Sequence, residues 1–137
     1  MAESKYGKHI IREPREQIYE NGELRFDGIF VDYEKLGTNC NILYSAVTEP
    51  RIDEDKPHVH DFPILLCFFG SNPLDVYDFD AEIEFYMGGE KHIIDTTAII
   101  SIPAGLPHCP LNFKRIGKPV VWLEVMLTAK YERKEPE

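Results

Sequence analysis

An all-β barrel or sandwich is the fold class that this sequence predicts, and three observations predict it. Apolar residues cluster in short runs of about four to eight positions, the length of a strand, as in Ala98-Ile99-Ile100-Ser101-Ile102 and Val120-Val121-Trp122-Leu123. Gly and Pro punctuate the gaps between runs, as at Gly88-Gly89 and Pro103-Ala104-Gly105. No strong helical pattern, internal repeat or low-complexity segment competes with this reading.

Residues 1–23 are polar and charged and read as an N-terminal arm that packs on the barrel or crosses to a partner. Within it, Lys8-His9-Ile10-Ile11-Arg12 predicts a short strand that Pro14 ends, and His9 reads as a surface or interface residue. Residues 24–130 read as the barrel. Residues 24–33 predict a strand bulged at its glycine, and residues 41–47 predict another. Residues 48–57, with Pro50, Asp53, Glu54, Asp55 and Pro57, predict a loop leading into His58. Residues 62–69 are almost wholly apolar. As a strand they turn Ile64, Leu66 and Phe68 to one face, with Pro63 at a strand start, edge or bulge. Residues 70–75 are a loop. Residues 81–87 alternate strictly, with Ile83, Phe85 and Met87 facing one way and Glu82, Glu84 and Tyr86 the other. Gly88-Gly89 marks a hairpin turn from which Lys91-His92-Ile93-Ile94 returns. Residues 98–102 form a buried strand and residues 120–127 the last long one. Residues 131–137 read as a charged, frayed tail.

At 137 residues the chain fits one domain, and 43% hydrophobic composition supports a core. A net charge of −9 argues against nucleic-acid binding, which needs clustered Lys and Arg. The three cysteines, Cys40, Cys67 and Cys109, are odd in number and form no C-x-x-C pair, so no disulfide scaffold is expected. Cys67 and Cys109 read as small buried hydrophobes, with a reactive thiolate beside His108 as the alternative for Cys109. The N-terminus lacks an apolar signal core, and no apolar stretch approaches the roughly 20 residues that span a bilayer. The expectation is a cytoplasmic protein with no membrane partner.

The chemistry gathers at two stretches. His58-Val59-His60 puts two imidazoles at i and i+2, side by side on one face of an extended chain. About fifty residues on, the turn at residues 103–107 holds His108 in a fixed direction, since Pro and Gly there leave the chain little freedom to lose. A third imidazole from a neighbouring strand completes a three-nitrogen face, which suits iron, zinc, copper or nickel. The predicted metal ligands are His58, His60 and His108. Glu82 and Glu84 read as a solvated face, with an inward-pointing acid as the alternative. Asp61 is turned away by parity, and His92, beside a hairpin turn, is a poorer ligand. There is no G-x-S-x-G elbow and no phosphate-binding Gly loop.

These spacings resemble the cupin superfamily, whose motifs run roughly G-x5-H-x-H-x3,4-E-x6-G and G-x5-P-x-G-x2-H-x3-N. Pro103, Gly105, His108 and Asn112 match the second motif, with Thr97 in place of its leading glycine. His58, His60 and Gly70 match the first, but Ile64 and Leu65 stand where its glutamate belongs. The resemblance covers roughly residues 58–122. It implies a double-stranded β-helix, or jelly-roll, barrel in a homodimer. It also implies a divalent transition metal on the three histidines, iron first, with Zn, Mn, Ni or Cu as alternatives. Asn112 is expected to support the turn.

Loss of the glutamate leaves the metal more positive, so a small anionic chelating substrate is expected. The resemblance then implies an iron-dependent dioxygenase-like enzyme acting on a small organic acid, thiol or enol. Two other classes stay open: a non-catalytic small-molecule or metal-binding cupin, and a metal-independent sugar isomerase or epimerase. The few basic residues near the motifs argue against the last of these.

Overall fold

The structure is a computed structural model that describes residues 4–128. Ten strands lie in two antiparallel sheets. The first six are β1 (Arg15–Glu20), β2 (Glu23–Val31), β3 (Asn41–Val47), β4 (Arg51–Glu54), β5 (Ile64–Gly70) and β6 (Ala81–Met87). The rest are β7 (Glu90–Ile94), β8 (Ala98–Ile102), β9 (His108–Ile116) and β10 (Val120–Met126). One sheet has the order β1-β2-β3-β10-β5-β8, the other β4-β9-β6-β7.

The period-2 pattern decides which faces meet. On β5, Ile64, Leu66 and Phe68 are buried, and on β6 so are Ile83 and Phe85. Facing them from β9 and β10 are Leu111, Phe113, Val120 and Trp122, which complete one continuous core. The rings of Phe68, Phe113 and Trp122 pack together at centroid distances of 5.8–6.4 Å, within the favourable range for aromatic pairs. Parity therefore places Ile64, Leu66 and Phe68 inside as the sequence requires, with Pro63 immediately before the first paired residue of β5.

Several elements differ from the sequence expectation. The strand expected over residues 8–12 is a 3-10 turn, Gly7–His9, and the strand of this region is β1, which pairs with β2. His9 is exposed. After β2 comes a one-turn helix, α1 (Tyr33–Leu36), too short to show a hydrophobic period. Its capping is local: the Asp32 side chain accepts from the Lys35 amide at 3.2 Å, and Gly37 closes it at φ 67°. The loop expected over residues 48–57 contains β4, held by pairing with β9. Strand β9 begins at His108, inside the second motif and just past the turn at residues 103–107. The tail at residues 131–137 lies outside the described residues. Among those described, no helix is long and apolar enough to cross a membrane.

Gly70 closes the first motif for a steric reason. A Cβ there would collide with the Asp78 carbonyl, where the 70–80 connection folds back against the end of β5.

Candidate metal centre

His58 lies outside any named strand but bridges to His108 at the start of β9. Each amide donates to the other's carbonyl at 3.0 Å. The turn at residues 103–107 is fixed to the same stretch, because the Gly105 amide donates to the His60 carbonyl at 2.8 Å. Gly105 has φ 84°, a conformation that glycine adopts without strain. The Gly88 amide anchors the far side of the turn by donating to the Pro107 carbonyl at 2.8 Å. Two stretches fifty positions apart in sequence are thus joined by their own backbones.

The side chains converge as a result. Ring centroids of His58, His60 and His108 lie 4.5–5.2 Å apart, and one ring nitrogen from each falls within 4.8 Å of the others. His60 and His108 are buried and His58 is half-buried. His108 Nδ1 lies 3.0 Å from the Leu106 carbonyl. A carbonyl oxygen only accepts, so Nδ1 carries the hydrogen and Nε2 keeps its lone pair for a metal. Burial pushes the His108 imidazole below its usual value, opposed by the Leu106 hydrogen bond and assisted by the His60 charge. A neutral ring is the ligating form.

This donor set fits a transition ion. Three nitrogens sharing a tetrahedral metal at about 2.1 Å stand about 3.4 Å apart. The observed spread of up to 4.8 Å is within reach of small side-chain rotations.

A local irregularity brings His108 and its neighbour to the same cavity. Between Phe85 and Met87 the β6–β9 register shifts, and Cys109 takes φ 81°. Consecutive residues His108 and Cys109 are therefore both buried, at 5% and 8% exposed, and Leu111 joins them at the cavity. Cys109 is buried here, as is Cys67, whose pKa burial raises.

The cavity measures about 200 Å³. Its apolar wall includes Ile64, Leu66, Phe85 and Ile102, so Ile64 fills the position of the missing motif glutamate. Its polar wall has the three histidines and three acids, Asp53, Glu54 and Glu124. Sequence reasoning missed these acids. Asp53 and Glu54 sit on the unforeseen β4, and Glu124 is a single acid in an apolar strand. The signal for Glu124 was available: it lies two positions from Trp122, on the inward face of β10. No Lys or Arg lines the cavity among the described residues. Asp53 has its pKa raised by burial. Glu124 is pushed up to about 7, by burial first and by the Asp53 charge second.

The other acids considered from sequence lie elsewhere. Glu84 points away from the cavity into an ion-pair cluster, with Lys114 at 3.0 Å and Lys91 at 3.2 Å. Those lysines hold its carboxyl below the usual range. Asn112 lies within β9, paired with Ile52 and Glu84, so it supports a strand rather than the turn. His92 sits on β7, beside Glu90 at 3.5 Å.

Comparison with known proteins bears on the architecture. No family model matches the chain, and no curated protein matches it. Solved structures do. The polyketide cyclase RemF from Streptomyces resistomycificus matches with TM-score 0.56 at 14% identity, over 92% of this chain and 82% of that one. A Klebsiella pneumoniae protein described as having a double-stranded β-helix domain matches with TM-score 0.52 at 13% identity, over 88% and 90%. The chain has the cupin fold. A third cupin-fold match is the iron(II) form of HppE, with TM-score 0.57 at 15% identity, over 85% of this chain but only 59% of HppE. The three histidines form a group that could hold a metal ion.

Proposed function

We propose that this cupin is a mononuclear metal enzyme of the oxygenase type, with His58, His60 and His108 as ligands and iron as the native metal. The observation that carries the reading is the convergence of three ring nitrogens within 4.8 Å at the wall of a cavity. A metal held by three protein nitrogens keeps open positions for substrate and oxygen and acts as a Lewis acid.

The chain's own part is positioning. The Leu106 carbonyl fixes the His108 ring, and the His58–His108 backbone pair fixes the two motifs against each other. Ile64, Leu66 and Phe85 keep the centre dry, which strengthens polar contacts inside. A cavity of about 200 Å³ suits a small ligand better than a sugar nucleotide. The absence of Lys and Arg from its wall among the described residues also speaks against a phosphate-bearing substrate. We further propose that the cupin works as a cytoplasmic homodimer, which light scattering on the purified protein would check.

The test is elemental analysis of the wild type beside His60→Ala and His108→Ala. About one first-row metal per chain is expected in the wild type. Both variants should lose it with their circular dichroism unchanged. Metal kept at full stoichiometry in both would sink the assignment. Oxygen uptake by the iron-loaded wild type with a panel of small enols and thiols then separates an enzyme from a non-catalytic metal binder.

A further inference from the structure

The metal cavity does not end inside the barrel. It reaches the seam between β3 and β4 at Leu43 and Asp53, and these two residues, with Trp122, also line the adjoining space under the β1–β2 hairpin. That space shares Phe26 and Leu43 with a third recess of about 320 Å³, whose remaining walls include Ile18 and Phe30. Leu43 borders all three. The spaces therefore follow one another from the histidines towards the outer edge of the larger sheet.

Topology makes this trough. The larger sheet has six strands and the smaller four, and β1 and β2 extend the larger one beyond β3, on the side where β4 ends the other. Register shows which side chains line the overhang. Glu124, Leu43 and Phe30 are cross-strand partners in one row, and Trp122, Ser45 and Gly28 in the next. Ile18 stands opposite Phe26. By parity all of these leave the face that borders the metal cavity. Gly28 keeps the floor low: a Cβ there would collide with the Tyr44 carbonyl and stand 3.0 Å from the Phe26 ring, which lies across it. Ile18 is 51% exposed and Phe26 and Phe30 are half-buried, so apolar surface meets water along the trough. The charges at the seam compensate each other, since Arg51 pairs with Asp53 at 3.6 Å.

We propose that Leu43, Phe30, Phe26 and Ile18 form the tail site of the metal centre, and that its ligand is amphipathic, with a small chelating oxygen head in the cavity and a hydrocarbon tail lying under the β1–β2 hairpin. The inference rests on the metal-centre reading and deepens it by naming the substrate class. The cavity of about 200 Å³ takes the head. Strand spacing sets the tail. From Glu124 to Phe30 is two strand spacings, about 10 Å, and from β10 to β1 three, about 14 Å. At roughly 1.2 Å per bond of an extended chain, a tail of about eight to twelve carbons covers that distance.

The test holds the head constant and varies the tail. Zinc-loaded wild type is titrated calorimetrically with straight-chain hydroxamic acids from acetyl to decanoyl, below their micellar concentrations. Affinity should rise about threefold per added methylene. Phe26→Ser and Ile18→Ser should each lower the affinity for the decanoyl compound about tenfold, while acetohydroxamic acid affinity and zinc stoichiometry stay as in wild type. Ile18, the more exposed of the two, carries the test if Phe26→Ser does not fold. Equal affinity across the series, or a chain-length gain that the folded variants keep, would overturn the tail site. Light scattering accompanies the titrations: a wild-type dimer that the variants turn into monomers, with no chain-length gain, would overturn it in favour of a second copy on this face. Failure of the metal centre reads differently. Zinc absent from the wild type, with acetohydroxamic acid unbound as well, would bring down that centre and the tail site with it.

Discussion

His108 is held from behind by a backbone carbonyl and from the sides by burial, and both bear on how it meets protons. Its pKa is lowered from 6.5, with burial the larger cause. Protons therefore compete for this ligand only at more acid pH than for a free imidazole. Metal affinity should fall as pH drops, with most of the loss below about pH 6.5. Zinc binding followed by competition with a chromophoric chelator across pH would check this. Glu124 has the opposite sense. Its value rises from 4.5 to about 7, so the folded protein holds a proton that the unfolded chain has released. Folding stability of the metal-free protein should thus decline from about pH 4.5 to 7 and level off above, by roughly 3.5 kcal/mol at most at about 1.4 kcal/mol per unit. In urea unfolding, Glu124→Gln should be more stable than wild type at about pH 8, with the gap closing at about pH 4.5. A gap that ignores pH would mean that Glu124 is solvated.

Among the elements, the turn at residues 103–107 positions the most. Gly105 sits at φ 84° and donates to His60, so a side chain there strains the link between the motifs. Gly105→Ala should cost about 1 kcal/mol of stability and weaken metal binding more than the fold. Differential scanning calorimetry, with and without zinc, would separate the two losses. This element was legible in sequence because Pro and Gly act locally. The parity of β6 was legible too, since Ile83 and Phe85 alternate with Glu82, Glu84 and Tyr86, whereas β5 is apolar throughout and its parity followed only by counting on from His58 and His60. Strand β4 was not. Three of its four residues are charged and three are exposed, and prolines lie on both sides. It is a strand only because β9 pairs with it, which no local pattern records. The acids it carries were hidden with it. Glu84 shows the complementary case, an alternating acid whose solvated partners, Lys91 and Lys114, lie on the neighbouring strands.

Across the whole molecule, β10 is the strand that connects core and site. It lies between β3 and β5 near the middle of the larger sheet, so Trp122 meets the aromatic core and the cavity at once. Gly70 stands at the far end of the same register, opposite Val120. Gly70→Ala should destabilise the whole fold by about 2 kcal/mol or more, since the obstructing atom is backbone and cannot swing aside. A lowered urea midpoint with an unchanged slope would show it.

The reciprocal bridge between His58 and His108 has a consequence for assembly. Its two halves are separated by fifty positions of the chain, and β5 to β8 must form between them. An unfolded or half-made chain offers the adjacent pair His58 and His60, but the third nitrogen arrives only with the closed barrel. Metal occupancy is thereby a readout of completed topology. An ion that needs all three rings binds the finished protein almost alone, and its binding energy accrues to the native state rather than to partly folded forms.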